Sequence, residues 1–74
     1  MNTNLLKSKM IEHGDTQAQL AEAIGISASN LNEKIKGKVS FRQKDIAAIR
    51  ARYHLSAEEV DHIFFENYCL EKTS

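Results

Sequence analysis

Proline and tryptophan are absent from this 74-residue chain, and cysteine occurs once, at Cys69. A lone cysteine excludes an internal disulfide and a cysteine-rich zinc cage, and it suits a reducing cytoplasm. Bulky apolar residues never run beyond three in a row, as in Ile63-Phe64-Phe65, so no segment can span a bilayer. The N-terminus lacks the basic-then-apolar order of a secretion signal. No stretch alternates β-branched and polar residues, which removes the signal for strands. There is no repeat and no low-complexity tract, so punctuation falls to three glycines, Gly14, Gly25 and Gly37. Net charge is also missing: ten basic residues balance ten acidic ones. A chain this short forms one domain, burying about 60% of its unfolded surface, with little room for a deep catalytic cleft.

The charge that is present is segregated. Residues 1–29 carry a net −1, residues 30–52 a net +5, and residues 53–74 a net −4. The central block holds Lys34, Lys36, Lys38, Arg42, Lys44, Arg50 and Arg52, seven of the ten basic side chains. The local field, and not the sum, steers a polyanion.

Helix signals are frequent. Thr16-x-x-Gln19, Ser40-x-x-Gln43 and Ser56-x-x-Glu59 each place a hydroxyl three residues before a side chain able to reach back, ahead of an apolar pattern at helical spacing. The expectation is an all-α fold of five short helices. The first runs from about Asn4 to His13, with Leu6 and Met10 one turn apart, and stops at Gly14. The second, capped by Thr16, turns Leu20, Ala21 and Ile24 inward and ends at Gly25. The third, capped by Ser27, buries Leu31 and Ile35 before Gly37. The fourth follows Ser40, with Phe41, Ile46, Ile49 and Tyr53 inward. The fifth follows Ser56, with Val60, Ile63 and Phe64 inward. Residues 1–66 are expected to form the domain and 67–74 a frayed C-terminal tail.

Only Gly25-Ile26-Ser27 separates the second and third helices, a link suited to a sharp corner with Ile26 plugging the angle. Such a corner lets one helix cross a DNA backbone while the next enters the major groove. With Leu31 and Ile35 inward, Ser29 and Glu33 point away from the core, flanked by Asn30, Asn32 and Lys36. Asn and Ser can read base edges, and Glu can accept from the cytosine amino group. Lys34, Lys36, Lys38 and Arg42 run past the helix end, where phosphates would flank an inserted helix.

Residues 16–38, with the core Gln17-x-x-Leu20-Ala21-x-x-Ile24-Gly25-Ile26-Ser27 followed by Lys34-Ile35-Lys36-Gly37-Lys38, resemble the Cro/C1-type (lambda-repressor-like) helix-turn-helix family. Together with Phe41, Ile46 and Ile63-Phe64-Phe65, the chain resembles short prophage regulators of Gram-positive bacteria over roughly residues 4–65. The resemblance implies a five-helix domain with the helix-turn-helix in its second and third helices. It implies that Ala28, Ser29 and Glu33 read bases with Asn32 beside them. Glu33 is acidic beside phosphates, and either a base or Lys36 would have to pair with it. Thr16, Gln17, Lys36, Lys38 and Arg42 match positions that contact the DNA backbone, with Asn30 and Lys34 as further candidates. The sequence departs from that family at two points: an apolar residue is usual where Lys34 stands, and Glu where Ile35 stands, which would rotate the helix slightly.

His13, His54 and His62 lack metal-ligand spacing, Cys69 has no catalytic partner nearby in sequence, and Glu58-Glu59 reads as first-turn acid at a helix N-terminus. The expectation is no enzyme, cofactor, metal, membrane or small-molecule substrate. The principal reading is a sequence-specific regulator of a phage lysis/lysogeny switch, in the bacterial cytoplasm, bound to a double-stranded operator. About five phosphate contacts give a slope of log affinity on log salt near −4.5. The other reading is an antirepressor that binds the phage repressor protein. It draws on the zero net charge, on Glu33, and on Phe64, Phe65, Tyr68 and Leu70 exceeding what one short helix buries. A second copy of the chain is a further candidate partner for these residues.

Overall fold

One apolar side chain from each of five helices meets at the centre of the molecule: Leu6, Leu20, Leu31, Ile49 and Ile63, all fully buried. The structure, a computed structural model, describes residues 2–65. The helices are α1 (Thr3–Glu12), α2 (Gln17–Ile24), α3 (Ala28–Ile35), α4 (Gln43–Tyr53) and α5 (Ala57–Phe64), and the described residues contain no strand. The all-α, five-helix expectation therefore holds. Burying each central side chain stabilises the fold by about 1.5–3 kcal/mol. Met10, Ala21, Ile35, Tyr53, Leu55 and Val60 complete the core, with Ile24, Ile26, Phe41, Ile46 and Phe64 partly buried against it. The expectation for 67–74, with Tyr68, Cys69 and Leu70, lies outside the described residues.

Three of the helix starts follow the hydroxyl caps read from sequence. Thr16 and Ser56 form reciprocal capping boxes with Gln19 and Glu59, and Ser27 Oγ accepts the Asn30 N–H at 3.0 Å. The other two starts differ. Helix α1 begins at Thr3 because the Asn2 side chain accepts the Leu5 N–H at 3.0 Å, while the Asn2 N–H donates to the Ile63 carbonyl at 2.7 Å. Helix α4 is not capped by Ser40. It begins at Gln43, with Arg42 as N-cap residue and the Arg42 N–H donating to Asp45 Oδ2 at 3.1 Å. Phe41 thus precedes α4, half-buried and edge-on to Phe64 with ring centroids 5.2 Å apart.

The corner between α2 and α3 is built as anticipated. Gly25 closes α2 at φ 82°, a left-handed conformation that costs other residues about 1–2 kcal/mol. The Gly25 N–H donates to the Glu22 carbonyl and the Ile26 N–H to the Ala21 carbonyl, satisfying the helix end. Ile26 is partly buried against the core. Helix α2 packs on α3 and α4, and α5 packs on α1 and α4. The α2–α3 packing fits a helix-turn-helix arrangement. At the far end of α3, the Thr3 hydroxyl donates to the Ile35 carbonyl at 3.3 Å.

Candidate nucleic-acid interface

Helix α3 turns Leu31 and Ile35 into the core, which leaves its first turn outward: Ala28, Ser29 and Asn30 are exposed. Asn32 and Glu33 are half-buried, so the outward ridge is narrower than the sequence suggested. The chain folds back over the end of α3, where the Lys38 and Val39 N–H groups both donate to the Glu33 carbonyl, at 3.0 and 3.4 Å. Gly37, at φ 86°, makes that reversal. The Glu33 carboxylate forms no salt bridge among the described residues, so a Glu33–Lys36 pair is not formed.

Lys34 requires a correction. Expected against a DNA phosphate, it is 3% exposed and turned inward. Its ammonium donates to the Ser40 carbonyl at 2.9 Å, lies 3.3 Å from Asp45 Oδ2, and sits 5.9 Å from the centroid of the Phe41 ring. Position 34 is about 80° around the helix from the centre of the Leu31–Ile35 stripe, so its long stem runs along the core edge and its head reaches the start of α4. Asp45 is 1% exposed and its Oδ1 has no hydrogen-bond partner among the described residues.

Two further members of the basic block are committed within the fold. Arg50 Nε donates to the Leu55 carbonyl at 3.2 Å, at the end of α4. Arg52 pairs with Asp15. Lys36, Lys38, Arg42 and Lys44 remain, all exposed and without salt bridges among the described residues. Lys44 was counted in the basic block but not among the expected contact residues. Asn30, Arg42 and Lys44 nonetheless border one recess of about 230 Å³, with Lys34 and Asp45 in its lining.

Thr16 and Gln17 open α2. Thr16 is exposed, and its Oγ1 accepts the Gln19 N–H at 3.1 Å, leaving the hydroxyl proton free to donate outward; Gln17 is half-buried. Immediately before them, Asp15 is held by Arg52 and by the Tyr53 hydroxyl, which donates to Oδ2 at 2.7 Å. The Arg52 and Tyr53 hydrogen bonds hold the Asp15 carboxyl at a pKa of about 2, and burial with the Asp15 contact raises that of the Tyr53 hydroxyl. His13 stacks on Tyr53 with centroids 4.8 Å apart. Sequence offered no sign of this cluster, whose acidic and basic members lie 37 residues apart.

A second recess of about 380 Å³ adjoins the first at Lys34 and Val39; Phe41, Ile46, Phe64 and Phe65 contribute to it, and Val39 and Phe65 are exposed. A shallower depression of about 540 Å³ continues past Ile46 and Phe65 to Ala47 and Val60. Among the described residues, no three His, Cys, Asp or Glu side chains gather as metal ligands would, and no helix is long and apolar enough to cross a membrane.

No curated protein and no solved structure matches the chain. One family model does, that of "Protein of unknown function (DUF739)", over residues 2–67. The match takes in all five helices, the α2–α3 corner and every candidate contact residue named above, and on that extent the chain belongs to the DUF739 family.

Proposed function

We propose that the chain is a sequence-specific, double-stranded DNA-binding regulator of the Cro/C1 helix-turn-helix type, without catalytic activity, acting in a phage lysis/lysogeny switch. The observation that carries the reading is the exposed first turn of α3, Ala28-Ser29-Asn30, which shares a recess with Arg42 and Lys44, while Lys36 and Lys38 stand exposed past the helix's other end. Helix α3 enters the major groove. Ser29 reads a base edge, Ala28 offers an apolar contact to a thymine methyl, and Asn32 and Glu33 lie at the margin of the read surface. Thr16 and Gln17 meet one phosphate at the start of α2, while Lys36, Lys38, Arg42 and Lys44 meet the backbone beyond α3, with Asn30 beside them.

The count of free cations revises the expected salt dependence. Four phosphate contacts by Lys or Arg give a slope of log affinity on log salt of about −3.6, shallower than five would give. The test is a mobility-shift titration across a salt series, using a duplex enriched from a randomised pool by the wild-type chain. The reading predicts selective enrichment and that slope. Enrichment of no sequence, or affinity indifferent to salt, would remove it.

The recess around Phe41, Phe64 and Phe65 favours a second reading, in which this face, formed by the 37–41 segment with α4 and the end of α5, docks a phage repressor or a second copy of the chain. Sedimentation of the chain alone and with the repressor separates the two. A complex with repressor, together with no selective duplex binding, would make antirepression the principal activity.

A further inference from the structure

We infer that Lys34 and Asp45 are positioning residues for the duplex-facing surface: their buried pair holds the segment bearing Lys36, Lys38 and Arg42 in register with α3. The inference rests on the DNA-binding reading and deepens it. Lys34 stands in the last turn of α3 and Asp45 in the first turn of α4, so the pair closes the loop that carries three of the four free cations. Both partners also hold that loop directly. Lys34 Nζ donates to the Ser40 carbonyl at 2.9 Å, and Asp45 Oδ2 accepts the Arg42 N–H at 3.1 Å. From the other side, the Gly37, Lys38 and Val39 N–H groups are anchored on the carbonyls of Lys34 and Glu33. The segment is thus pinned at both ends; on the α4 side the Ile46 N–H holds the Arg42 carbonyl, and both side-chain hydrogen bonds to the segment come from members of the ion pair.

Stability alone is a weak reason for such a pair. Two charges are desolvated in a small core where apolar side chains of similar volume serve as well or better, and Asp45 Oδ1 is left without a partner among the described residues. What the pair adds is a fixed distance between the reading helix and the cations beside it. Phosphates along a duplex strand have a fixed spacing, so cations held at one separation meet them with less ordering cost than cations on a loose loop. At 3% and 1% exposure, neither Lys34 nor Asp45 can meet a phosphate itself. Their influence on binding passes through Lys36, Lys38 and Arg42.

The test compares the wild-type chain with Lys34→Met/Asp45→Asn, which removes both buried charges while Asn keeps an acceptor for the Arg42 N–H. Amide exchange is read at Lys38 and Val39 in the free protein, with the core amides of Leu20 and Ile49 reporting global stability. Binding is read over a salt series on the duplex enriched by the wild-type chain. The inference expects loop exchange about tenfold faster relative to the core amides, as for a local opening. It also expects a salt slope shallower by about 1, with about five-fold weaker binding at physiological salt for each phosphate the loop no longer reaches. Unchanged loop exchange, or unchanged slope and affinity, overturns it. If the double variant does not fold, Asp45→Asn alone is used; it keeps the Lys34–Ser40 bond, is expected to show the same changes in smaller degree, and overturns the inference if it shows none. If the wild-type chain enriches no duplex, the DNA-binding reading falls, and loop exchange alone decides whether the pair holds the loop.

Discussion

Arg52 closes on Asp15 with both prongs of its guanidinium, Nε 2.7 Å from Oδ2 and Nη2 2.8 Å from Oδ1. The pair ties the end of α4 to the residue just before Thr16, the N-cap of α2. It also neutralises a nearly buried carboxylate beside the N-terminus of α2.

The first prediction follows from the Asp15 carboxyl, whose folded-state pKa of about 2 lies below its usual 3.8. A depressed carboxyl contributes its full stabilisation above the unfolded value and loses it as pH falls through the folded one. Urea unfolding should therefore show stability declining between about pH 4 and pH 2. Asp15→Asn should flatten that decline without abolishing it, because the Lys9 hydrogen bond also holds the Glu59 carboxyl below its ordinary value. Tyr53→Phe, which removes one hydrogen bond to the carboxylate, should cost about 1.5 kcal/mol at neutral pH. An acid limb unchanged in Asp15→Asn would show that other carboxyls govern it.

Local signals made the helices legible, and long-range partners hid the rest. Thr16, Ser27 and Ser56 cap the helices they were expected to cap, because a hydroxyl cap and its target amide lie three residues apart and can be read together. Leu6, Leu20, Leu31, Ile49 and Ile63 followed from helical spacing. The start of α4 did not. In a helix capped by Ser40, that residue's carbonyl would accept an N–H four residues on; here the Lys34 ammonium donates to it instead. The burial of Lys34 depends on Asp45, eleven positions away in another helix, and no periodicity announces such a pair. The departure at position 34 was visible in the sequence, and its answer is a buried partner. Charge counting likewise overstated the basic surface, since Lys34 is buried against Asp45 and Arg52 is paired with Asp15, while the exposed Arg50 gives its Nε–H to the Leu55 carbonyl.

His54 is the one described non-glycine residue at positive φ, 54°, where it ends α4 in the left-handed region. That conformation is strained for a side chain bearing Cβ and is unstrained for glycine. His54→Gly should raise stability by about 1 kcal/mol, since His54 is exposed and forfeits no packing. Denaturant midpoints report it directly; a lower midpoint would mean that unfolded-chain entropy or an unrecognised His54 contact outweighs the strain.

Thr16 and Ser56 perform the same capping task on α2 and α5. Replacing either by Ala should cost a similar amount, about 1 kcal/mol. Their effects on duplex binding should diverge, because only Thr16 opens a helix proposed to meet a phosphate. Thr16→Ala should weaken affinity for the enriched duplex, and Ser56→Ala should leave it unchanged at temperatures well below unfolding. Equal losses in both would assign the Thr16 effect to stability and withdraw it from the interface.

Ser29 and Lys38 test the division between reading and holding. Ser29 is exposed in the first turn of α3 and forms no hydrogen bond through its side chain among the described residues, so its hydroxyl is free for a base edge. Lys38 stands beyond Gly37, anchored through its backbone N–H and free at its ammonium. Ser29→Ala should cost about 1–3 kcal/mol against the preferred base at one position of the site, and little elsewhere. Lys38→Ala should weaken binding to every duplex alike and make the salt slope shallower by about 1. Affinities for a set of single-base variants of the enriched duplex, measured at several salt concentrations, separate the two patterns. A uniform loss in Ser29→Ala would show that α3 presents its first turn to the backbone and that sequence is read from another surface.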